Sequence, residues 1–515
     1  MAERAQPVSP WPGIGAAALV ATLILGTLAA VALRAETSSG FSPADWAALK
    51  FTLTQSTLSA LFSVLLAVPV ARALARRRFR GRRALIALLG APFILPVIVA
   101  ILGLLQVFGR SGWISDLLGL FGLPPIRIYG LHGVVLAHLF FNLPLATRLV
   151  LQAWQEIPAE RFRLAAQLGC NGAAMFRLIE LPMLLRILPG VLAVVFAICL
   201  TSFAVALTLG GGPRATTIEL AIYQAFTYDF DLGRAALLSA LQLALTAVAA
   251  FAALKFSRGD GFGTGLDRAI RRWDGGTPTL DAFWILTAAT FLLLPLASVV
   301  ISGFAGLFEM PAMVFRAALT SIIVAAASTA ILLLLALPMA AAVATGRYGI
   351  VELSGILGLA ASPLVIGTGL FILIRPLANP TTLALPVTAL VNAAMALPFA
   401  LRILVPAARD VVTRHGRLAI SLDMGKGTFF ARVLLPRMRP QICFAAGLGA
   451  ALSMGDLGVI ALFADPQIAT LPLQIYRLMG AYQMQAAAGG ALLLLLLSMG
   501  AFWLLDRGGR WHAEA

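Results

Sequence analysis

The sequence predicts an all-α polytopic membrane protein with about twelve transmembrane helices in two parallel repeats. Three observations carry that prediction. The 515 residues are 60% hydrophobic and only 12% charged, with a mean hydropathy of +0.94, far on the apolar side of soluble domains. The apolar residues gather into runs long enough to cross a bilayer. Blocks of sequence then recur about 254 residues apart.

A span needs roughly 20 mainly apolar residues. The first such run, near 13–33, resembles a secretory signal, but it is too long for a typical signal core and is read as a retained span. Further runs lie near 51–72, 84–107, 131–153, 188–209 and 235–255, then near 281–303, 314–344, 352–374, 384–406, 441–463 and 487–505. The 314–344 run is long for one crossing, so its ends are expected to project or tilt. Within hydrocarbon every backbone polar group must be satisfied inside its own segment, so these runs are helices. Tryptophans at 11, 46, 113, 154, 273, 284, 503 and 511 lie near span ends, as interfacial anchors do.

The net charge of +16 suggests nucleic acid until its distribution is considered. With the N-terminus inside, 27 of the 38 Lys and Arg fall in cytoplasmic segments and 8 in outer ones. The densest cluster, Arg72, Arg76, Arg77, Arg78, Arg80, Arg82 and Arg83, sits between the second and third spans. That asymmetry is the positive-inside rule, so the basic excess reports topology, with no nucleic-acid partner and both termini cytoplasmic. Cys170, Cys199 and Cys443 have no paired or metal-type spacing, and the four histidines form no ligand cluster in sequence.

Internal repetition sets the architecture. LAVPVARALARRR (66–78) resembles LALPMAAAVATGR (335–347), and Pro96 pairs with Pro363. LPLATR (143–148) resembles LPFALR (397–402), pairing Pro144 with Pro398 and Arg148 with Arg402. TTIELAIYQAF (216–226) echoes ATLPLQIYRLM (469–479). Each half holds five corresponding spans behind one leading span, and six spans separate the copies, so they run parallel about an axis along the membrane normal. The expected organisation is a first transmembrane half at 1–255, a Gly-rich cytoplasmic linker at 256–280 and a second transmembrane half at 281–515.

The repeat is sharpest in two 34-residue cytoplasmic loops, 154–187 and 407–440. RLAAQLGCNGAAMFRLIELP (163–182) matches RLAISLDMGKGTFFARVLLP (417–436) without a gap. In the first loop, Pro158 and Glu160 suit a helix start, Leu164, Ala165 and Leu168 share a face, and Asn171-Gly172 breaks the helix. Gly425-Lys426-Gly427 supplies the equivalent break in the second. Each loop is thus read as a helix–turn–helix outside the bilayer. An amphipathic helix resting on lipid headgroups is the alternative; equal length, duplication and small central residues favour docking in a protein groove.

The pattern resembles the EAA loop of ABC importer permeases, which runs Glu-Ala-Ala, three residues, Gly, then a Phe region ending in Leu-Pro. Ala165, Gly169, Phe176, Leu181 and Pro182 match it in the first copy, and Ala419, Phe430, Leu435 and Pro436 in the second. Arg163 and Arg417 stand in place of the glutamate and Asp423 in place of the second glycine. The resemblance implies a type I ABC importer permease fold in which these positions, Asp423 included, couple the spans to an ATPase. It also implies two copies of a cytoplasmic ATPase, one periplasmic substrate-binding protein and a bacterial inner-membrane location. ATP and Mg would then be bound by the ATPase, with no cofactor on this chain. DMGKGT (423–428) is no phosphate loop: it lacks the leading glycine, and Gly427 stands where Ser or Thr should follow the lysine.

The fused layout and the stretch LSMGDLGVIALFADPQIATLPLQIYRLMGAYQ (452–483) resemble thiamine ABC transporter permeases, with fused ferric-iron permeases as the alternative. The resemblance implies uptake of thiamine and possibly its phosphate esters. One residue carries an argument of its own. Asp456 lies inside the eleventh span, where a carboxylate costs about 2.5–3.5 kcal/mol on insertion scales and so faces a cavity or a partner. It either attracts a passing cation in the substrate path, makes a structural hydrogen bond to neighbouring helices, or simply lies near the interface. Arg148 and Arg402 either snorkel to headgroups or act in gating. An ion-coupled secondary transporter would place more acidic or His residues in its spans than Asp456 and His138, and would leave the two loops unexplained. A membrane enzyme would need a constellation of reactive residues that the sequence does not offer.

Overall fold

The computed structural model describes residues 7–35, 40–90, 94–210, 212, 215–256, 278–346, 349–359, 361–463 and 468–510. Of the expected linker, 257–277 lies outside the described residues, as do Trp273 and Trp511. Among the described residues the chain is helical throughout, and ten helices are long and apolar enough to cross a membrane.

The expected twelve segments reduce to ten because the ninth and eleventh are broken into pieces too short to cross unaided. The ninth is Gly349–Ile356 followed by Pro363–Ile374, and the eleventh is Arg439–Met454 followed by Gly458–Phe463. Their repeat partners are interrupted as well. The third segment is Arg82–Leu88 and then Val97–Phe108, and the fifth is Leu181–Leu200 and then Phe203–Leu209. The duplication is therefore written in the backbone, as breaks at matched places. By contrast the long eighth segment is one helix, Ala312–Ala344.

Each break needs its freed backbone groups satisfied within the protein. Ser362 caps the second piece of the ninth segment by accepting the Val365 N–H at 3.2 Å. In the fifth, the carbonyls of Cys199 and Leu200 accept from the side-chain amides of Gln55 (3.0 Å) and Gln242 (2.9 Å). In the eleventh, Asp456 Oδ1 accepts the Gly458 N–H at 3.2 Å.

The leading span of each half packs on the other half as well as on the last span of its own, the first touching Leu232–Phe256 and the seventh touching Met484–Arg510. The first span, Trp11–Arg34, lies against the eighth and ninth segments of the second half. The seventh, Pro278–Gly306, lies against the second and third segments of the first half. Glycine permits both approaches: a Cβ on Gly369 would fall 2.4 Å from the Thr27 carbonyl oxygen, and one on Gly103 2.5 Å from that of Pro295. The buried side chains divide accordingly, one cluster including Ala288, Leu292 and Val299 with first-half residues and the other Ala17, Val20 and Ile24 with second-half residues. At the basic end, Arg77 pairs with Asp281 at 2.7 Å and ties the second span to the start of the seventh.

Candidate functional site

The first of the two loop elements begins where Pro158 ends the fourth span, Leu131–Glu156, and starts a helix at Ala159–Gln167. That helix closes on a left-handed residue, Gly169, at φ 72°. Cys170 N–H donates to the Ala165 carbonyl at 3.0 Å and Gly169 N–H to that of Ala166 at 3.1 Å, the paired bonds of a Schellman ending. The second copy makes the same two bonds, Met424 N–H to Ala419 at 2.9 Å and Asp423 N–H to Ile420 at 3.1 Å. Asp423, which departs from the motif glycine, sits at φ 49°. A short polar side chain tolerates the left-handed region better than others do, so the departure preserves the turn.

Two details differ from the sequence reading. The break comes at Gly169 rather than at Asn171-Gly172, and Asn171 instead starts the next helix by accepting the Ala174 N–H at 2.9 Å. In the second copy there is no separate first helix. Val412 stands where the first copy has Pro158, and one helix runs unbroken from Ala384 to Ser421, beyond the expected loop boundary at 407. Asp423 breaks it, and Gly425 opens the next helix.

The remaining motif residues form a second shared device. Phe176–Glu180 and Phe430–Leu434 are single π-helical turns, closed by Leu181 N–H to the Phe176 carbonyl and Leu435 N–H to that of Phe430. Pro182 and Pro436 explain the widening, because neither can donate to the carbonyl four residues back and each ring crowds that carbonyl. The Phe-to-Leu-Pro spacing is thus the spacing of a π bond followed by the proline that imposes it. It joins the loop element directly to the fifth or eleventh segment, so the fifth begins at Leu181, inside the expected loop.

The first copy has a buried charged anchor. Glu180, fully buried, pairs with Arg72 at 2.6 Å, and the Arg72 guanidinium stacks 4.8 Å over the Phe176 ring. At the position equivalent to Glu180 the second copy has buried Leu434. Outward, both copies present the same apolar pair one turn apart: Leu164 and Leu168 are 57% and 73% exposed, Leu418 and Leu422 58% and 65%. Ala165 is half-buried and Ala419 buried behind them.

The structure brings Asp456 to a different place, a cavity of about 410 Å³ between the halves. All four broken segments reach it, through Pro96, Ser202, Pro363 and Asp456. So do repeat partners on the fourth and tenth spans: His138 with Asn392, Phe141 with Met395, Leu145 with Phe399. The breaks touch one another, since a Cβ on Gly455 would lie 3.2 Å from Pro96 Cα. Asn392 flanks the Asp456 carboxylate but turns its amide nitrogen to Ser453 Oγ at 3.1 Å, leaving Oδ2 without a hydrogen bond of good geometry. His138 holds Ser59 through Nδ1 at 3.1 Å while Nε2 has no partner.

Sequence reasoning missed Glu219, which lines the same cavity from the helix Ile218–Thr227. Its only signal was an acid inside the apolar repeat TTIELAIYQAF, which also reads as an ordinary first-turn helix residue. Arg148 is half-buried and Arg402 exposed, and neither reaches the cavity.

No family-wide profile matches this sequence. Individual proteins do. The chain is 40% identical to the thiamine transport system permease protein of Brucella abortus, covering 98% of this chain and 96% of that protein. It is 39% identical to the protein of the same name from Salmonella typhimurium, covering 100% of both. Against that of Escherichia coli it is 38% identical over 98% of each chain.

Proposed function

The chain belongs to the family of thiamine transport system permeases, and from that premise we propose how its two elements and its cavity work together. It is the membrane-spanning permease of a thiamine ABC importer, a multi-pass protein that carries its cargo across the membrane. The observation that carries this reading is likeness along essentially the whole length of such permeases.

ATP hydrolysis belongs to a separate cytoplasmic ATPase, present in two copies, which binds the ATP and Mg. The leucine pairs at 164/168 and 418/422 seat in grooves on those two subunits, with the termini and both elements on the cytoplasmic side. A periplasmic binding protein delivers thiamine to the opposite face. Closure of the ATPase pair displaces the two elements. Each Schellman turn and π turn is stiff in its hydrogen bonding, so the displacement passes into the fifth and eleventh segments instead of dissipating in a loop. Those segments are broken at Thr201-Ser202 and Gly455-Asp456, so their inner pieces can swing against the outer ones and open the cavity. Asp456 then faces the cationic thiazolium ring of the cargo in a path with little competing water.

The test is reconstitution of the permease with its ATPase and binding protein in liposomes. Thiamine, and not ferric ion, stimulates hydrolysis, and uptake stops when the ATPase is disabled. Uptake that survives a dead ATPase and follows an ion gradient would refute the reading.

A further inference from the structure

The cavity is chemically lopsided. Its lining contains two carboxylates, Asp456 and Glu219, and no Lys or Arg. Neither acid has a counterpart in the other half: Ser202 stands at the position equivalent to Asp456 and Pro472 at that of Glu219. Duplication alone would not have placed them.

Glu219 is held for a purpose beyond filling space. Its side chain is fully buried, with Gln242 Nε2 donating to Oε1 at 3.0 Å and Ser362 alongside. The same Gln242 nitrogen donates to the Leu200 carbonyl at the break of the fifth segment, and Ser362 caps the second piece of the ninth. One carboxylate thus stands beside the breaks of the fifth and ninth segments, and the other lies within the break of the eleventh. Each keeps one oxygen, Glu219 Oε2 and Asp456 Oδ2, without a hydrogen bond of good geometry among the described residues, with Ser362 beside the first carboxylate and Asn392 beside the second. An ionised oxygen without a partner inside a span is costly unless a cation meets it. Aromatic rings complete the surroundings. Phe203 follows the fifth break and comes close to Gly458, where an added Cβ would lie 3.7 Å from both its ring and Asp456 Oδ1, and Phe141 and Phe399 line the walls. Ring faces attract an organic cation and carboxylates neutralise it.

We propose that Glu219 and Asp456 form a two-carboxylate site for an organic cation in the central cavity, with Phe141, Phe203 and Phe399 as its aromatic walls, which the cargo occupies in transit. This rests on the reading of the chain as a thiamine permease. Because the acids sit on separately broken segments, swinging the inner pieces changes the distance between them, so the site forms and dissolves with each cycle instead of trapping its ligand.

The experiment measures binding of radiolabelled thiamine to the assembled permease–ATPase complex without binding protein, beside uptake by the complete system. Glu219→Gln keeps the shape and the bond to Gln242, and Asp456→Asn is equally conservative. Each is expected to weaken thiamine binding about tenfold or more, with the thermal midpoint unchanged, and the double variant to abolish it. A neutral analogue with a thiophene in place of the thiazolium ring should bind the wild type and the double variant equally. Wild-type binding by both single variants would overturn the proposal, as would a wild type that transports thiamine but shows no binding without the binding protein. Failure of the complete wild-type system to take up thiamine would instead overturn the assignment of function.

Discussion

Gly169 offers a way to separate backbone shape from surface contact in the proposed coupling element. It is exposed, it adopts φ 72°, and a Cβ built there meets nothing within 4 Å. A substitution therefore acts first through the left-handed backbone. Placing an L side chain in that region costs roughly 1–2 kcal/mol, and a β-branched one lies at or above the upper end. Gly169→Val should thus disfavour the native turn by ~2 kcal/mol, which is about 30-fold in its population. Gly169→Asn should cost well under about 1 kcal/mol, because Asn forms local hydrogen bonds in this region. The second copy already demonstrates such tolerance with Asp423 at φ 49°. The assay is thiamine-stimulated ATP hydrolysis and uptake in proteoliposomes, with thermal unfolding of the spans as the control. Val should uncouple the two activities, Asn should leave them coupled, and both should stay folded and membrane-inserted, with Val lowering the melting temperature no further than its ~2 kcal/mol cost at the turn allows. Equal coupling in the two variants, or equal loss, would refute the backbone argument; equal loss would point to a surface that admits no side chain at all.

Other expectations follow from neighbouring geometry. Ala165→Leu enlarges a half-buried position behind Leu164 and Leu168 and should reduce stimulated hydrolysis while the protein stays folded and membrane-inserted. Glu180→Gln removes the charge opposite Arg72; the loss should be about 2 kcal/mol, below the roughly 3–5 kcal/mol of fully buried pairs because Arg72 is 25% exposed, and thermal unfolding would detect it. Gly369→Leu drives atoms into the Thr27 backbone, where a Cβ alone would lie 2.4 Å from oxygen. It should destabilise the complex by at least ~1–3 kcal/mol, and an unchanged unfolding midpoint would mean the first span does not pack there. Asp456→Asn should lower uptake without changing the amount of protein in the membrane.

The helical segments and their pairing were legible because hydropathy and register depend on local sequence. The breaks were only partly so. Pro96 and Pro363 announce two of them, but nothing at Thr201-Ser202 forbids helix; that break depends on Gln55 and Gln242, amides that reach its carbonyls from distant spans. The loop motif was visible as letters, while its meaning, a Schellman turn followed by a π turn, emerges only from the hydrogen bonds. The replacement of Pro158 by Val412 was also in plain view, yet repeat symmetry argued for two helices where one continuous helix forms. Glu219 stayed hidden because its importance comes from which cavity the helix faces, and periodicity does not specify that.

The crossed leading spans have a consequence for biogenesis. The first span reaches the ribosome exit long before the helices it will pack against, since Gly13 lies beside Pro338, some 325 residues later. At ~5–20 residues per second, that is roughly 15–65 s of waiting. For that interval the face that will meet the second half has lipid against it, with the sixth span Leu232–Phe256 as a first-half neighbour, and the first span's mean hydropathy of 2.4 suits it to this. The order of synthesis and the order of assembly are therefore opposed. The earliest helix made is among the last to find its place, and the first half stays open on one side until the second half arrives to receive it.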